Sequence, residues 1–164
     1  MIYELHYNKM LDDFIELPTN AFSEILLPCM SSEFQKIALN PLEINTSDEM
    51  GGMVFPDFIY DGAIPLFSDR VFSAMKKVGT DHLLCIKVSV TDEIQDVTKQ
   101  YVLALPPRIN VFDDYGSIDE TKCGNYAIFK SSDPSDNRIY ITEAMRKALD
   151  AIKPIGMEYY VLSD

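Results

Sequence analysis

Apolar and polar positions alternate along residues 2–7, as in a strand with one buried face. Residues 14–17 offer a short extension or partner for it, closed by Pro18. An apolar run over 22–27 ends at Pro28. Residues 33–39 have the spacing for one or two helical turns before Asn40-Pro41 stops them. Residues 45–52 are polar, end in Gly51-Gly52 and read as a loop. Residues 54–60 form a short strand broken by Pro56, and Asp61-Gly62 is a turn signal. Punctuation is clearest from Pro65 to Asp113. Ser68 is placed to cap a helix over 68–78, with Asp69 in its first turn. Val71, Phe72, Met75 and Val78 make its apolar face, Lys76 and Lys77 sit near its end, and Gly79 stops it.

A strand over 83–90 follows, with Leu84, Ile86, Val88 and Val90 on one face and Lys87 and Ser89 on the wetter one. Residues 91–96 are a polar connection. A second strand over 98–105 ends at Pro106-Pro107. Ile109, Val111 and Phe112 suggest a third, and residues 113–116 a turn. Strands are expected at 126–129 and 139–141, on either side of a turn-rich loop over 131–137. Thr142 caps a second helix whose inward stripe is Met145, Ala148, Leu149 and Ile152. Lys153-Pro154 stops it, and Gly156 turns the chain into a last strand over 157–162. Strands outnumber helices, and the helices do not alternate strictly with them. The expectation is an α+β fold: one domain over 1–164, with a mostly antiparallel or mixed sheet and two main helices packed on it.

Charge narrows the class of partner. The chain carries 14 basic and 26 acidic residues, a net charge of −12. Nucleic acid and anionic membranes, which need Lys and Arg, are disfavoured. A protein partner with a basic surface is favoured, because charge complementarity speeds capture. The acids concentrate early: residues 1–60 hold ten, against Lys9 and Lys36. No apolar run nears the roughly 20 residues of a membrane helix. The first residues lack a signal-peptide layout, so the expected location is the cytoplasm.

The cysteines Cys29, Cys85 and Cys123 form no C-x-x-C pair, and Cys85, in an apolar run, is expected in the core. His6 and His82 have no nucleophile signalled beside them; His82 reads as a solvated turn residue. Gly51-Gly52 lacks the Lys-Ser/Thr of a phosphate loop. No catalytic, cofactor or metal residue is assigned. Among the paired carboxylates, Asp113-Asp114 stands out because it follows a buried-looking strand beside Tyr115-Gly116. Its spacing does not fit an EF-hand. Arg70 and Arg108 are the best-placed arginines, each expected first in a structural ion pair.

The stretches PLFSDRVFSAMKKVGTDHLLCIKVSV, YVLALPPRINVFDDYGSID and AIFKSSDPSDNRIYITEAMRKALDAIKPIGMEYYV resemble the "immunity protein eleven" group of bacterial polymorphic-toxin systems. The resemblance covers about residues 54–162 and leaves out the acidic part, 1–53. It implies a cytoplasmic antitoxin that is not an enzyme and that neutralises a cognate toxin by binding it. Candidate partner-binding residues are Asp12, Asp13, Glu16, Asp48, Glu49, Asp113 and Asp114. The alternative is a small-ligand or metal-binding regulatory domain using the 113–116 turn with Arg108.

Overall fold

Ten strands, two α-helices and a 3-10 helix over Glu120–Cys123 make up the regular structure of the described residues, the strands forming two five-stranded mixed sheets. The computed structural model describes residues 1–8, 13–18, 20, 42–46, 52–60 and 65–162. Residues 22–27 and 33–39, the 61–62 turn signal, and Asp12, Asp48 and Glu49 lie outside them.

The first sheet runs in the order β10-β1-β9-β8-β7, from Met157–Val161 through Ile2–Tyr7, Ile139–Thr142 and Ile128–Ser131 to Arg108–Ile109. The second runs β2-β5-β6-β4-β3, from Leu42–Asn45 through Leu84–Asp92, Val97–Leu105 and Pro65–Ser68 to Phe58–Tyr60. Neighbours are antiparallel except the β2–β5 and β7–β8 pairs. The fold class is therefore the expected α+β.

Both helices form where their caps predict. In α1, Asp69–Lys76, the Ser68 side chain accepts from Val71 N; in α2, Glu143–Asp150, Thr142 accepts from Met145 N. Eight residues are too few for a stable isolated helix, so packing holds them. Val71, Phe72 and Met75 of α1 and Met145 and Leu149 of α2 share one cluster with Tyr3, Leu5, Phe58, Phe67, Val102 and Ile139. Fully burying side chains of this size is worth about 1.5–3 kcal/mol each. The far side of the second sheet carries another cluster, built on Ile86, Val88, Val90, Tyr101 and Leu103. On the far side of the first sheet, Ile2, Phe129 and Tyr140 pack against Val111 and Cys123.

Several expectations are corrected. A strand, β2, ends on Asn45, the first residue of the expected 45–52 loop, and β4 precedes α1 directly. β5 extends to Asp92, so the connection to β6 is only residues 93–96. Leu84 does not join its strand's buried face; it is 57% exposed at the strand's start. The third strand is only Arg108–Ile109. Val111 is buried outside any strand, and Phe112 makes a lone bridge to Ile118. The 126–129 strand is shifted to Ile128–Ser131. Residues 14–17 form no strand beyond a Phe14–Val54 bridge. Cys85 and Ala148 are half-buried rather than buried. His82 is also half-buried: its Nε2 lies 3.1 Å from Ile128 O and its ring meets Tyr126 edge-on. No helix of the described residues is long and apolar enough to cross a membrane.

Candidate functional site

One end of the second sheet gathers acids around exposed apolar side chains. It is built from the segment 13–16, where Phe14 and Ile15 are buried and Asp13 and Glu16 are exposed. Phe14 stacks on Tyr7 at 6.2 Å, fixing the segment against the first sheet. Its backbone is tied to the 52–54 segment by Val54 N to Asp13 O at 2.8 Å and Ile15 N to Val54 O at 2.9 Å. Gly52 is required here: a Cβ would lie 1.9 Å from the Asp13 carbonyl carbon. Glu16 lies close enough to Tyr7 to add to the effect of burial, and together they push the phenol up to about 12.

The β5–β6 turn joins this end. Buried Asp92 accepts from Ile94 N at 2.9 Å and Gln95 N at 3.2 Å. The hydrogen bond from the Gln95 side chain, aided by these amides, holds the Asp92 carboxyl below its ordinary range. The tight turn points Ile94 outward, 76% exposed. Gln95 Nε2 donates to Met53 O at 3.3 Å, and Met53 is 71% exposed. Asn45 Nδ2 donates to Glu93 Oε1 at 2.7 Å, bringing the end of β2 to the same place. Three segments thus meet here, and they carry exposed Met53 and Ile94 together with exposed Asp13, Glu93 and Asp96. An apolar centre inside a polar rim is the anatomy of a protein interface. Acids at the rim select a cationic partner.

Asp113 and Asp114 are elsewhere. Asp113 Oδ1 accepts from Tyr115 N at 2.9 Å and Ser117 N at 2.8 Å, closing its own loop. Arg108 makes no ion pair among the described residues. Its Nη1 donates to the carbonyls of Ser131, Asp133 and Asp136 at 2.9, 2.9 and 3.0 Å, clamping the 131–137 loop. Between that loop and Phe112 and Gly116 lies a groove of about 910 Å³, reached also by Glu4, His6 and Tyr60. His6 Nε2 is 2.7 Å from Glu4 Oε1. A carboxylate-oriented imidazole suits proton transfer, yet no Ser, Thr or Cys side chain among the described residues hydrogen-bonds to it. Across the groove Asp136 receives Arg138 Nε at 2.9 Å and the Tyr140 hydroxyl at 2.7 Å. Burial alone would raise the Asp136 carboxyl; these bonds outweigh it and lower it.

Buried Asp57 binds Arg70 through both carboxylate oxygens and accepts from Ser68 Oγ at 2.6 Å and Ile155 N at 2.7 Å. Arg70 thus has the structural pairing expected of it. No three His, Cys, Asp or Glu side chains of the described residues converge as metal ligands would.

Of the sequence candidates, Asp13 and Glu16 share one segment, and Asp113 and Asp114 sit in another loop. Met53 and Ile94 were missed. The available signal was an isolated Ile inside the polar run Asp92–Asp96, where an apolar side chain has no sheet face to join. The chain matches no protein-family model and no curated protein.

Proposed function

We propose that the chain is an immunity protein, a cytoplasmic antitoxin that binds a cognate bacterial toxin through a cationic surface of that toxin. The observation that carries this reading is that the segments bearing exposed Met53 and Ile94 meet where Asp13, Glu93 and Asp96 are also exposed. Exposed apolar side chains close to several carboxylates suit the centre and rim of a protein interface. A net charge of −12 and the resemblance over 54–162 agree with it. The test is growth of cells that express the neighbouring toxin-like gene, with and without this chain. Toxicity alone and rescue by the pair is the expected result. A toxicity that the chain does not relieve overturns the reading.

The groove favours a second reading, a regulatory domain for a small ligand held between the 113–117 loop and the loop clamped by Arg108. Under that reading a metabolite raises the melting temperature reproducibly, and Arg138→Ala abolishes the rise. A melting temperature unmoved across a metabolite screen counts against it.

A further inference from the structure

Strand β10 is an edge strand whose outer side has no strand partner among the described residues. Leu162 N donates to Ile2 O and Asn8 N donates to Gly156 O, while Glu4 pairs with Tyr160 and His6 with Glu158. In an antiparallel ladder alternate residues turn their backbone groups to opposite sides. Residues 158, 160 and 162 therefore face β1. Met157, Tyr159 and Val161 direct their N–H and C=O groups outward, and among the described residues none of these groups has a hydrogen bond.

Natural edges are blunted by Lys, Pro, bulges or covering loops. The sequence Met-Glu-Tyr-Tyr-Val has neither Lys nor Pro, and its pairing with β1 runs unbroken from Met157 to Val161. Tyr160 is 52% and Val161 55% exposed. The side chains above the edge are set by β1. Asn8 Nδ2 donates to Glu158 Oε1 at 2.5 Å, and the Tyr160 hydroxyl donates to Glu158 Oε2 at 3.0 Å. His6 meets Tyr160 edge-on at 4.6 Å. The edge thus presents a held carboxylate beside an aromatic ring on one face, and Val161 with half-buried Tyr159 on the other.

We propose that β10 accepts an extended segment of a protein partner as a sixth strand, and that this segment alternates basic and apolar residues. Its basic side chains lie beside Glu158 and over Tyr160, where opposite charge and cation–π attraction both act. Its apolar side chains lie beside Val161 and Tyr159. Main-chain bonds to Tyr159 and Val161 supply affinity, and the alternation supplies selectivity. A second copy of this chain is the poorer occupant, because each copy carries −12 and would repeat the Glu158 carboxylate at the joint.

The identity of the partner as a toxin rests on the antitoxin reading; the edge does not, and the tests separate them. Amide exchange of the full chain is followed with an acetylated peptide alternating lysine and valine, and with its glutamate–valine counterpart. At peptide about ten times its Kd, the lysine peptide slows exchange at Tyr159 and Val161 about tenfold. The glutamate peptide does not, and Glu158→Lys abolishes the response. No protection by the lysine peptide, or equal protection by both, overturns the proposal. Protection that grows with protein concentration alone overturns it in favour of a second copy. Val161→Pro removes an outward donor and no bond to β1; with melting temperature kept, it is expected to lose both the peptide and the toxin. A Val161→Pro chain that binds the toxin like wild type overturns the edge proposal and leaves the antitoxin reading standing. Failure of the wild-type chain to bind the toxin overturns the antitoxin reading, and the peptide result alone then decides the edge.

Discussion

Asp57, just before β3, and Asp13, just before the Phe14–Val54 bridge, have opposite fates. Asp57 is buried, and Arg70, Ser68 and the Ile155 amide satisfy its oxygens. Asp13 is exposed beside exposed Met53 and Ile94. The first carboxylate joins β3, α1 and the segment entering β10 into one body. The second leaves its charge to the solvent, where a partner can use it. Carboxylate number therefore says little about an acidic chain; what decides the role is whether the fold supplies the counter-charge itself.

Removing Asp57 is the strongest way to break the contrast. Asp57→Ala leaves the Ile155 amide without its acceptor and is expected to lower stability by about 2–3 kcal/mol in chemical denaturation. The same site sets an acid limb. Burial pushes the Asp57 carboxyl up, but the bonds from Arg70, Ile155 and Ser68 outweigh it and leave it lowered. A lowered carboxylate in the folded state means that the unfolded chain binds the proton more readily. The stability from Asp57 is then complete above the ordinary carboxylate range and is lost as pH falls through its folded value. Asp57→Asn should flatten that acid limb; an unchanged slope below about pH 4 would remove Asp57 from the account.

The two caps give a smaller contrast. Thr142→Ala should cost about 1 kcal/mol, the usual value of an N-cap. Ser68→Ala should cost more, because Ser68 also donates to Asp57. Equal melting temperatures for the two variants would show that the Asp57 network draws nothing from Ser68.

Smallest of all for folding is the exposed end. The double variant Asp13→Lys, Glu93→Lys should shift stability by less than about 0.5 kcal/mol. Its effect belongs to association, which should slow and lose its salt dependence. Under the proposed function, Ile94→Ala should weaken binding of the partner by about 1–2 kcal/mol at little cost in stability. Unchanged affinity in both would move the interface away from this end.

Local signals in the sequence were reliable where the structure is local. The hydroxyl of Ser68 and the stripe of Val71, Phe72 and Met75 define α1 within a dozen residues. So do Thr142, Met145 and Leu149 for α2. Strands that depend on distant partners were not legible. β2 exists because Leu42 and Ile44 lie parallel to Val88 and Val90, across more than forty residues. β4 opens with Pro65 and buries residues on both faces, so no alternation announces it. At the candidate site the acids of 13–16 were visible, because charge is a property of composition. The meeting of their segment with those of Met53 and Ile94 was not, because it is made by backbone bonds between 13–15 and 52–54 and by the Gln95 side chain.

The place of β1 has a consequence for synthesis. The first strand lies between β9 and β10, the last two strands of the chain. At about 5–20 residues per second, a ribosome finishes β1 on the order of ten seconds before either neighbour exists. Throughout that time Tyr3 and Leu5 have only the growing chain, or a chaperone, to shield them. The first sheet is thus completed only once β9 and β10 are made, and whatever interrupts translation before Ile139 leaves β1 unpaired on both sides.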